Sequence, residues 1–160
     1  MAKTLVAYFS TSGTTEKLAK KLADIINADL HEIKPVEKYR PADLDWTNKK
    51  SRSSIEMNDR KFRPQIANKV ENMEEYDRIF VGFPIWWYIA PTIINTFLEQ
   101  YDLKGKIVIP IATSGGSEIG DTNKELQASC MGADLKVGKV FSPKVDDNEL
   151  KQWAQSFWIV

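Results

Sequence analysis

The stretch TLVAYFSTSGTTEKLAKKLADII, residues 4–26, runs from apolar residues through a loop of hydroxylic residues into a helical pattern. A short and nearly continuous apolar run, residues 4–9, is typical of a strand that is covered on both faces. Over residues 14–27 the apolar side chains recur in steps of one, three and four, which forms one face of a helix. A buried strand that leads directly into an amphipathic helix is the repeating unit of an α/β sheet.

The rest of the chain continues this alternation. Further strands are predicted at residues 29–33, 78–83, 106–112 and 135–141, and further helices at residues 65–73, 91–101, 121–131 and 146–157. Pro110 conflicts locally with its strand, because proline cannot donate to a ladder. The pattern predicts a doubly wound α/β domain with a parallel sheet and helices on both faces. In such a sheet, ligands bind beyond the carboxyl ends of the strands, where the strand order reverses.

Length, charge and cysteine content limit the classes of protein to which this chain could belong. The 160 residues fit a single domain, residues 1–160, and the formal net charge of zero gives no reason to expect nucleic acid or a membrane as partner. The N-terminal apolar stretch is too short for a signal peptide or a transmembrane helix. Cys130 is the only cysteine, so no internal disulfide can form and a cytoplasmic location is expected. With His31 as the only histidine, neither a metal site nor a catalytic triad is expected.

One segment breaks the alternation. Residues 34–64 are polar, show no clear period, and contain nine Lys or Arg against five Asp or Glu, a local excess of four positive charges. A structureless segment of this length is unusual inside a compact domain unless it has a function. We therefore predict an insertion with a short helix at residues 34–64.

The loop after the first strand has the composition of a phosphate site. Ser10, Thr11, Ser12, Thr14 and Thr15 surround Gly13 at the point where a helix begins. Helix N-termini present free amide N–H groups and the positive end of the helix dipole. The chain has no GxxxxGK[ST] run and no GxGxxG run here, so neither a triphosphate loop nor a dinucleotide fingerprint is indicated. The alternative is that these residues serve only as helix caps.

The loops after two later strands carry the features of a ring-binding site. Pro84, Ile85, Trp86, Trp87 and Tyr88 follow the strand at residues 78–83, and adjacent aromatic side chains cannot all enter one core. The third loop contains the residues Thr113, Ser114, Gly115, Gly116, Gly120 and Asp121. Its backbone can approach the polar edge of a heterocycle. The alternative for the aromatic residues is packing against neighbouring helices.

Taken together, the segments STSGTT, GFPIWWY and ATSGGS resemble those of flavodoxins, and the likeness covers nearly the whole chain. The resemblance implies a five-stranded sheet of order 2-1-3-4-5 with non-covalently bound FMN at its edge. It implies that Ser10, Ser12, Gly13, Thr14 and Thr15 bind the FMN phosphate. It also implies that residues 86–88 line the isoalloxazine ring and that residues 113–116 meet its pyrimidine edge. Well-known flavodoxins have one aromatic residue in the middle loop, so which of Trp86, Trp87 and Tyr88 stacks on the ring stays open.

Three functions remain open at this point. The first is an electron carrier that cycles FMN between redox states with redox partner proteins, and that has no catalytic residue or metal of its own. The second is a small FMN-dependent NAD(P)H:quinone-type oxidoreductase with a small-molecule acceptor, because a basic insertion could attract an anionic nicotinamide cofactor. The third is a regulatory or scaffolding domain of the same fold that binds no flavin. The expected oligomeric state is a monomer or a weak dimer.

Overall fold

The computed structural model describes residues 3–114, 116 and 118–158 of the chain. Within these residues the strands form one parallel sheet in the spatial order β2-β1-β3-β4-β5, with β6 also paired to β4. The strands are β1 (Thr4–Tyr8), β2 (Asp29–Glu32), β3 (Arg78–Pro84), β4 (Ile107–Thr113), β5 (Asp134–Leu135) and β6 (Lys139–Val140). The helices are α1 (Thr14–Ile26), α2 (Arg52–Met57), α3 (Thr92–Glu99), α4 (Thr122–Leu126) and α5 (Asp147–Gln155). The predicted doubly wound sheet of order 2-1-3-4-5 is confirmed.

Both faces of the sheet are covered, as the apolar strands predicted. Leu5 and Ala7 of β1 lie in a cluster that contains the buried side chains of α3. Val6 and Tyr8 point the other way, into a second cluster that contains the apolar faces of α1 and α5. Because side chains alternate between the two faces of a strand, a strand buried on both faces reads as one apolar run.

The predicted fifth strand is interrupted in the middle. β5 pairs with Ile107 and Val108 of β4, and β6 pairs with Ile111 and Ala112, so the interruption lies beside Pro110. A Cβ on Gly138 would lie 2.6 Å from the carbonyl oxygen of Pro110. Gly138, which lies between β5 and β6, is therefore beside Pro110. Pro110 has no N–H group to donate to a strand on that side. The conflict that Pro110 poses in the sequence is resolved by breaking the neighbouring strand.

The insertion contains a 3-10 turn at Pro41–Leu44 and the short helix α2, as the sequence predicted. The helix predicted at residues 65–73 is wrong, because this segment closes the neck of the insertion instead. Pro35 and Ile66 form an isolated antiparallel bridge, Val36 N donates to Gln65 O at 3.0 Å, and Ala67 N donates to Lys34 O at 2.7 Å. These backbone groups are committed across the neck, so they cannot also bond within a helix.

Three other helices are shorter than predicted, and α3 ends at Glu99 instead of residue 101. α4 gives way to a 3-10 turn at Gln127–Cys130, and α5 to another at Ser156–Trp158. Asp146 fixes the start of α5, where its carboxylate accepts from the amides of Asn148 and Glu149. The ends of helices commonly tighten in this way, because their last carbonyls have no partner in the helix.

We expect His31 to make the stability of the fold depend on pH. It is half-buried on β2, and burial, followed by the charge of Lys34, lowers its pKa below the ordinary value of 6.5. The unfolded chain therefore takes up a proton near pH 6.5, whereas the folded chain does so only at lower pH. We expect the free energy of unfolding to decrease as the pH falls from about 6.5 toward the folded pKa, and His31→Gln to remove this part of the slope. Urea unfolding of the wild-type chain and of His31→Gln at about pH 7.5 and about pH 5.5 measures the change in the free energy of unfolding with pH. If this change were the same in both proteins, the prediction would be contradicted.

Candidate functional site at the carboxyl edge of the sheet

The three predicted loops meet at one edge, because β1, β3 and β4 are neighbours in the sheet. The backbone joins them in pairs: Phe9 N donates to Gly82 O at 2.9 Å, and Ile85 N donates to Thr113 O at 2.9 Å. A buried hydrogen bond of 2.7 Å links the hydroxyls of Thr15 and Thr113, and so connects the first loop to the third. Residues that are nearly a hundred positions apart in sequence thus meet at one edge of the sheet.

In the first loop, two kinds of hydroxyl residue have different roles. The hydroxyl of Ser10 accepts from the amides of Gly13 and Glu16, both at 3.2 Å, and Thr15 is buried against Thr113. These two residues shape the loop. Ser12 and Thr14 are exposed, with their hydroxyl oxygens 3.3 Å apart. They are the hydroxyls that can reach a ligand.

Gly13 and the first turn of α1 add the backbone part of this loop. Gly13 has a φ of +89°, and a Cβ placed there would meet no atom within 4 Å. Glycine is therefore favoured by the backbone conformation and leaves open space above the loop. The amides of Thr14 and Thr15 begin a helix, so no carbonyl four residues back accepts from them. The loop thus offers amides and hydroxyls, which suit an anion.

The second loop is a tight hairpin made of aromatic residues. Trp86 and Ile89 exchange backbone hydrogen bonds of 2.9 and 3.1 Å, and Trp87 and Tyr88 between them have φ values of 49° and 69°. Two-residue hairpins of this geometry normally use Asn-Gly. Left-handed conformations cost non-glycine residues about 1–3 kcal/mol each, and such strain clusters at functional sites. The turn displays both rings, with Trp87 41% and Tyr88 70% exposed.

The side chain of Trp86 packs inward, whereas those of Trp87 and Tyr88 are exposed. Its ring makes edge contacts with Phe9 at 5.8 Å and with Tyr39 at 5.4 Å, and Phe9 and Tyr39 are also 5.4 Å apart. This triad joins the first loop, the hairpin and the insertion. Trp86 is thus a wall of the site that is fixed by packing, whereas Trp87 and Tyr88 are the rings free to stack on a ligand.

The insertion supplies a further wall that the sequence did not reveal. A cavity of about 530 Å³ lies between the hairpin and the insertion. Its lining residues are Leu44, Trp46 and Ser53 from the insertion, Ile85, Trp86, Trp87 and Tyr88 from the hairpin, and Ser114 and Gly116 from the third loop. Among the described residues, none of those that line it carries a charge. Leu44, Trp46 and Ser53 belong to no motif or period, so no sequence signal marked them.

A buried cluster holds the insertion in place. The side chain of Glu56 is 3% exposed, accepts from the Tyr39 hydroxyl and pairs with Arg52 at 2.9 Å. The guanidinium of Arg52 lies 3.7 Å from the centre of the Tyr39 ring. Burial and the hydrogen bond to Glu56 raise the pKa of Tyr39 well above its ordinary value, so the phenol keeps its proton and donates to the carboxylate.

Two more arginines attach the insertion to the helices. Arg60 pairs with Glu125 of α4 at 3.2 Å, and Arg63 contacts Glu99 of α3 through two bonds of 2.9 and 3.1 Å. The pairing with Arg63 lowers the pKa of Glu99, which also accepts from Ser129. The positive excess of the insertion is thus used partly to attach it to the domain.

The remaining predicted residues lie at the rim of the site. Pro84 ends β3 and is half-buried, and Thr11 is half-exposed beside Ser10. Asp121 is exposed and precedes α4, where its carbonyl accepts from Glu125 N. Gly120 has a φ of +58°, and a Cβ there would lie 2.3 Å from the carbonyl oxygen of Tyr88, so it packs against the hairpin. Gly115 lies outside the described residues.

Comparison with known proteins shows the family of this chain. A family model described as Flavodoxin matches residues 3–157. The chain belongs to the flavodoxin family. A proposed flavoprotein from Bacteroides eggerthii is 47% identical, with each chain fully covered and a TM-score of 0.93. Another from Bacteroides uniformis is 49% identical, with 96% of this chain and 98% of that chain covered and a TM-score of 0.90.

A third relative of this flavodoxin-family chain was solved with its ligand. A flavoprotein from Lactobacillus acidophilus, in complex with FMN, is 26% identical over 96% of this chain and 99% of that chain, with a TM-score of 0.73. No curated protein matches the sequence. Within the described residues, no helix has both the length and the apolar character to cross a membrane, and no group of His, Cys, Asp and Glu side chains could hold a metal ion.

Proposed function

We propose that this flavodoxin-family chain binds FMN non-covalently at the carboxyl edge of its sheet and acts as an electron carrier. The observation that carries the proposal is the 2.7 Å bond between Thr15 and Thr113, which joins the hydroxyl-rich first loop to the third loop, whose Ser114 and Gly116 line the aromatic cavity. The FMN found in the Lactobacillus acidophilus relative supports it. Bound FMN supplies reversible one- and two-electron chemistry, while the protein sets its potential and access.

The donors of the first loop and the aromatic lining of the cavity support the choice of FMN. Ser12, Thr14 and the first amides of α1 offer neutral donors for a phosphate that does not react, which is why the loop needs no lysine. The cavity of about 530 Å³ is of the size and aromatic character that ligand sites favour. Trp87 or Tyr88 would stack on the ring, and the third loop would meet its polar edge. The insertion and Trp86 would shield the ring from water.

Anaerobic reduction of the purified protein, followed by absorbance, tests this function. A carrier should take up electrons in two separate one-electron steps, because its protein environment stabilises the half-reduced flavin. If colourless protein failed to quench the fluorescence of added FMN, flavin binding itself would be disproved. Partner proteins that exchange electrons with the chain, a monomeric or weakly dimeric state, and the cytoplasmic location favoured by the single cysteine belong to the same proposal.

A second candidate is a quinone-type FMN oxidoreductase, favoured by the uncharged aromatic lining of the cavity. Such a lining suits a neutral, flat acceptor. It is less suited to the pyrophosphate of NAD(P)H, and three arginines of the insertion are already paired with Glu56, Glu99 and Glu125. Rapid bleaching of the flavin on stopped-flow mixing with NADPH would contradict the pure carrier and support the enzyme.

The phosphate loop yields a separate prediction. Thr14→Ala should weaken the binding of FMN about tenfold, because one hydrogen bond to a charged group is lost. The binding of riboflavin, which has no phosphate, should stay nearly unchanged. Fluorescence titration of the apoprotein with both ligands measures the difference. Thr96→Ala is the control, since the Thr96 hydroxyl bonds to the Thr92 carbonyl within α3. Equal losses for both ligands would show that the phosphate binds elsewhere.

A further inference from the structure

We propose that a second cavity, beside the first loop, is a binding site for a nucleotide other than FMN. This second cavity has a volume of about 470 Å³, and its polar lining residues include Thr11, Glu32, Lys34 and Lys38. The chemical class that fits it is a ribonucleotide phosphate, such as the adenosine monophosphate unit of a dinucleotide. The inference goes beyond the proposed function, because the second cavity is a separate site that does not require bound flavin.

The second cavity lies at the edge of the sheet where ligands of this fold class bind. Phe9 follows β1, Glu32 ends β2, and the two strands are paired so that Tyr8 lies opposite Glu32. The second cavity and the aromatic cavity share no lining residue within the described part of the chain. Phe9 and Tyr39 line the second cavity, and Trp86, whose ring contacts both, lines the aromatic one. These three rings therefore form a partition, and each cavity can hold its own ligand.

Lysines supply the positive charge of the second cavity. All four arginines of the insertion form ion pairs with carboxylates. None of its five lysines forms an ion pair with any residue that the structure describes, and two of them, Lys34 and Lys38, line the second cavity. Both are exposed, and their flexible stems allow the amines to turn toward a ligand. The second cavity is therefore flanked by two free cations, which suit a phosphate.

Glu32 indicates that the ligand carries hydroxyl groups as well as an anion. Its carboxylate forms no ion pair within the described residues, although two lysines line the same cavity. A carboxylate only accepts hydrogen bonds, so a sugar hydroxyl is a suitable partner. In doubly wound sheets that bind dinucleotides, an acidic residue about 20 positions after the glycine loop accepts from a ribose hydroxyl. Glu32 is the last residue of β2 and follows Gly13 by 19 positions.

The remaining walls of the second cavity suit a flat base. Phe9, Val36 and Tyr39 are apolar or aromatic, and Val36 is 57% exposed. A few charged groups among apolar walls, in a cavity of this volume, are typical of a site for a small ligand. Lysines for the phosphate, a carboxylate for the ribose and an apolar surface for the base together match one ribonucleotide.

Calorimetric titration of the FMN-saturated chain with 5′-AMP tests the site. Saturating FMN occupies the phosphate loop, so AMP can bind only elsewhere. We expect one AMP per chain, with a Kd of about 1 mM or below. Adenosine, which lacks the phosphate, should bind about tenfold more weakly or worse. 2′-Deoxy-AMP should also bind more weakly than AMP, because Glu32 loses a donor.

Two double variants assign AMP to the second cavity. Lys34→Gln with Lys38→Gln should weaken AMP about tenfold or more, because charge-assisted bonds to the phosphate are lost. Its melting temperature should stay near that of the wild-type chain, since both lysines are exposed and unpaired. The matched control, Lys49→Gln with Lys50→Gln, removes the same charge from the insertion outside the second cavity. It should change AMP binding less than about threefold, because solvent and salt screen distant charges.

Competition identifies the source of the nucleotide unit. A flavin dinucleotide would span both cavities, so FAD should displace both FMN and AMP. A nicotinamide dinucleotide should displace AMP from the FMN-saturated chain and leave FMN bound.

Three results would overturn the second site. They are the absence of saturable AMP binding at about 1 mM, the loss of AMP binding when FMN is added, and equal losses in the two double variants. Equal binding of AMP and 2′-deoxy-AMP would overturn the role of Glu32 and the assignment to a ribonucleotide. If the wild-type chain did not bind FMN, the proposed function would be disproved, but titration of the free chain and the two double variants with AMP would still test the second cavity.

Discussion

Arg52→Ala is expected to lower the free energy of unfolding by about 3–5 kcal/mol, because it leaves the buried carboxylate of Glu56 without its counter-charge. Glu56 is almost fully buried, and Arg52 contacts it at 2.9 Å while also covering the ring of Tyr39. The Tyr39 hydroxyl would remain as a donor to Glu56, but a neutral donor does not balance a buried charge. The insertion would lose its main internal support.

Urea denaturation measures this loss, and a second arginine of the insertion provides the control. Arg40 pairs with Asp43 at 3.8 Å, but its side chain is 83% exposed. Arg40→Ala should therefore cost less than about 1 kcal/mol. The double variant Arg52→Met with Glu56→Met should regain most of the stability, because it removes both charges. Equal costs for Arg52→Ala and Arg40→Ala would contradict the assigned role of the cluster.

Arg52→Ala should also weaken the binding of ligands in the cavity. Leu44, Trp46 and Ser53 reach the cavity only while the insertion is docked. We therefore expect Arg52→Ala to weaken the binding of riboflavin and FMN alike, although Arg52 does not itself line the cavity. Titration with both ligands measures this second effect.

Gly120→Ala is the second large effect and should destabilise the protein by about 2–5 kcal/mol. The left-handed φ of +58° costs an alanine about 1–2 kcal/mol. Its Cβ would also lie 2.3 Å from the carbonyl oxygen of Tyr88, so the backbone of the hairpin would have to move, at about 1–3 kcal/mol. Because the hairpin carries Trp87 and Tyr88, flavin affinity should fall as well.

Gly105 separates the two causes of this effect. It has a φ of +80°, and a Cβ there would meet no atom within 4 Å. Gly105→Ala should therefore show the backbone cost alone, about 1–2 kcal/mol, with unchanged flavin binding. Urea unfolding and fluorescence titration of both variants measure the difference. If Gly120→Ala bound FMN as tightly as Gly105→Ala, the hairpin would not be part of the ligand site.

The sequence was sufficient wherever the signal was local. The run at residues 4–9 predicted a strand buried on both faces, since neither face shows polar alternation. Gly13 among hydroxyl residues predicted an open turn at a helix start, and a φ of +89° is observed there. The position of the three loops at one edge of the sheet followed from the alternation of strands and helices, because the carboxyl ends of parallel strands lie at the same edge.

The local signal failed where long-range pairing decided the conformation. Residues 65–73 read as a short helix, but Ile66 pairs with Pro35, and the backbone of the segment is used across the neck of the insertion. The sequence placed Trp86, Trp87 and Tyr88 at the site but could not distinguish them. Only packing against Phe9 and Tyr39 turned Trp86 inward, while the left-handed turn displayed the other two.

By itself, then, the sequence determined the α/β architecture, the three loops and the kind of ligand they suit, because short-range composition and periodicity encode strands, helices and turns. Only the tertiary structure placed the insertion over the hairpin, where Leu44, Trp46 and Ser53 line the cavity. The reason is physical: the insertion is held by a few ion pairs and ring contacts with residues far away in sequence. Such contacts have no period, so they become visible only when the chain is folded.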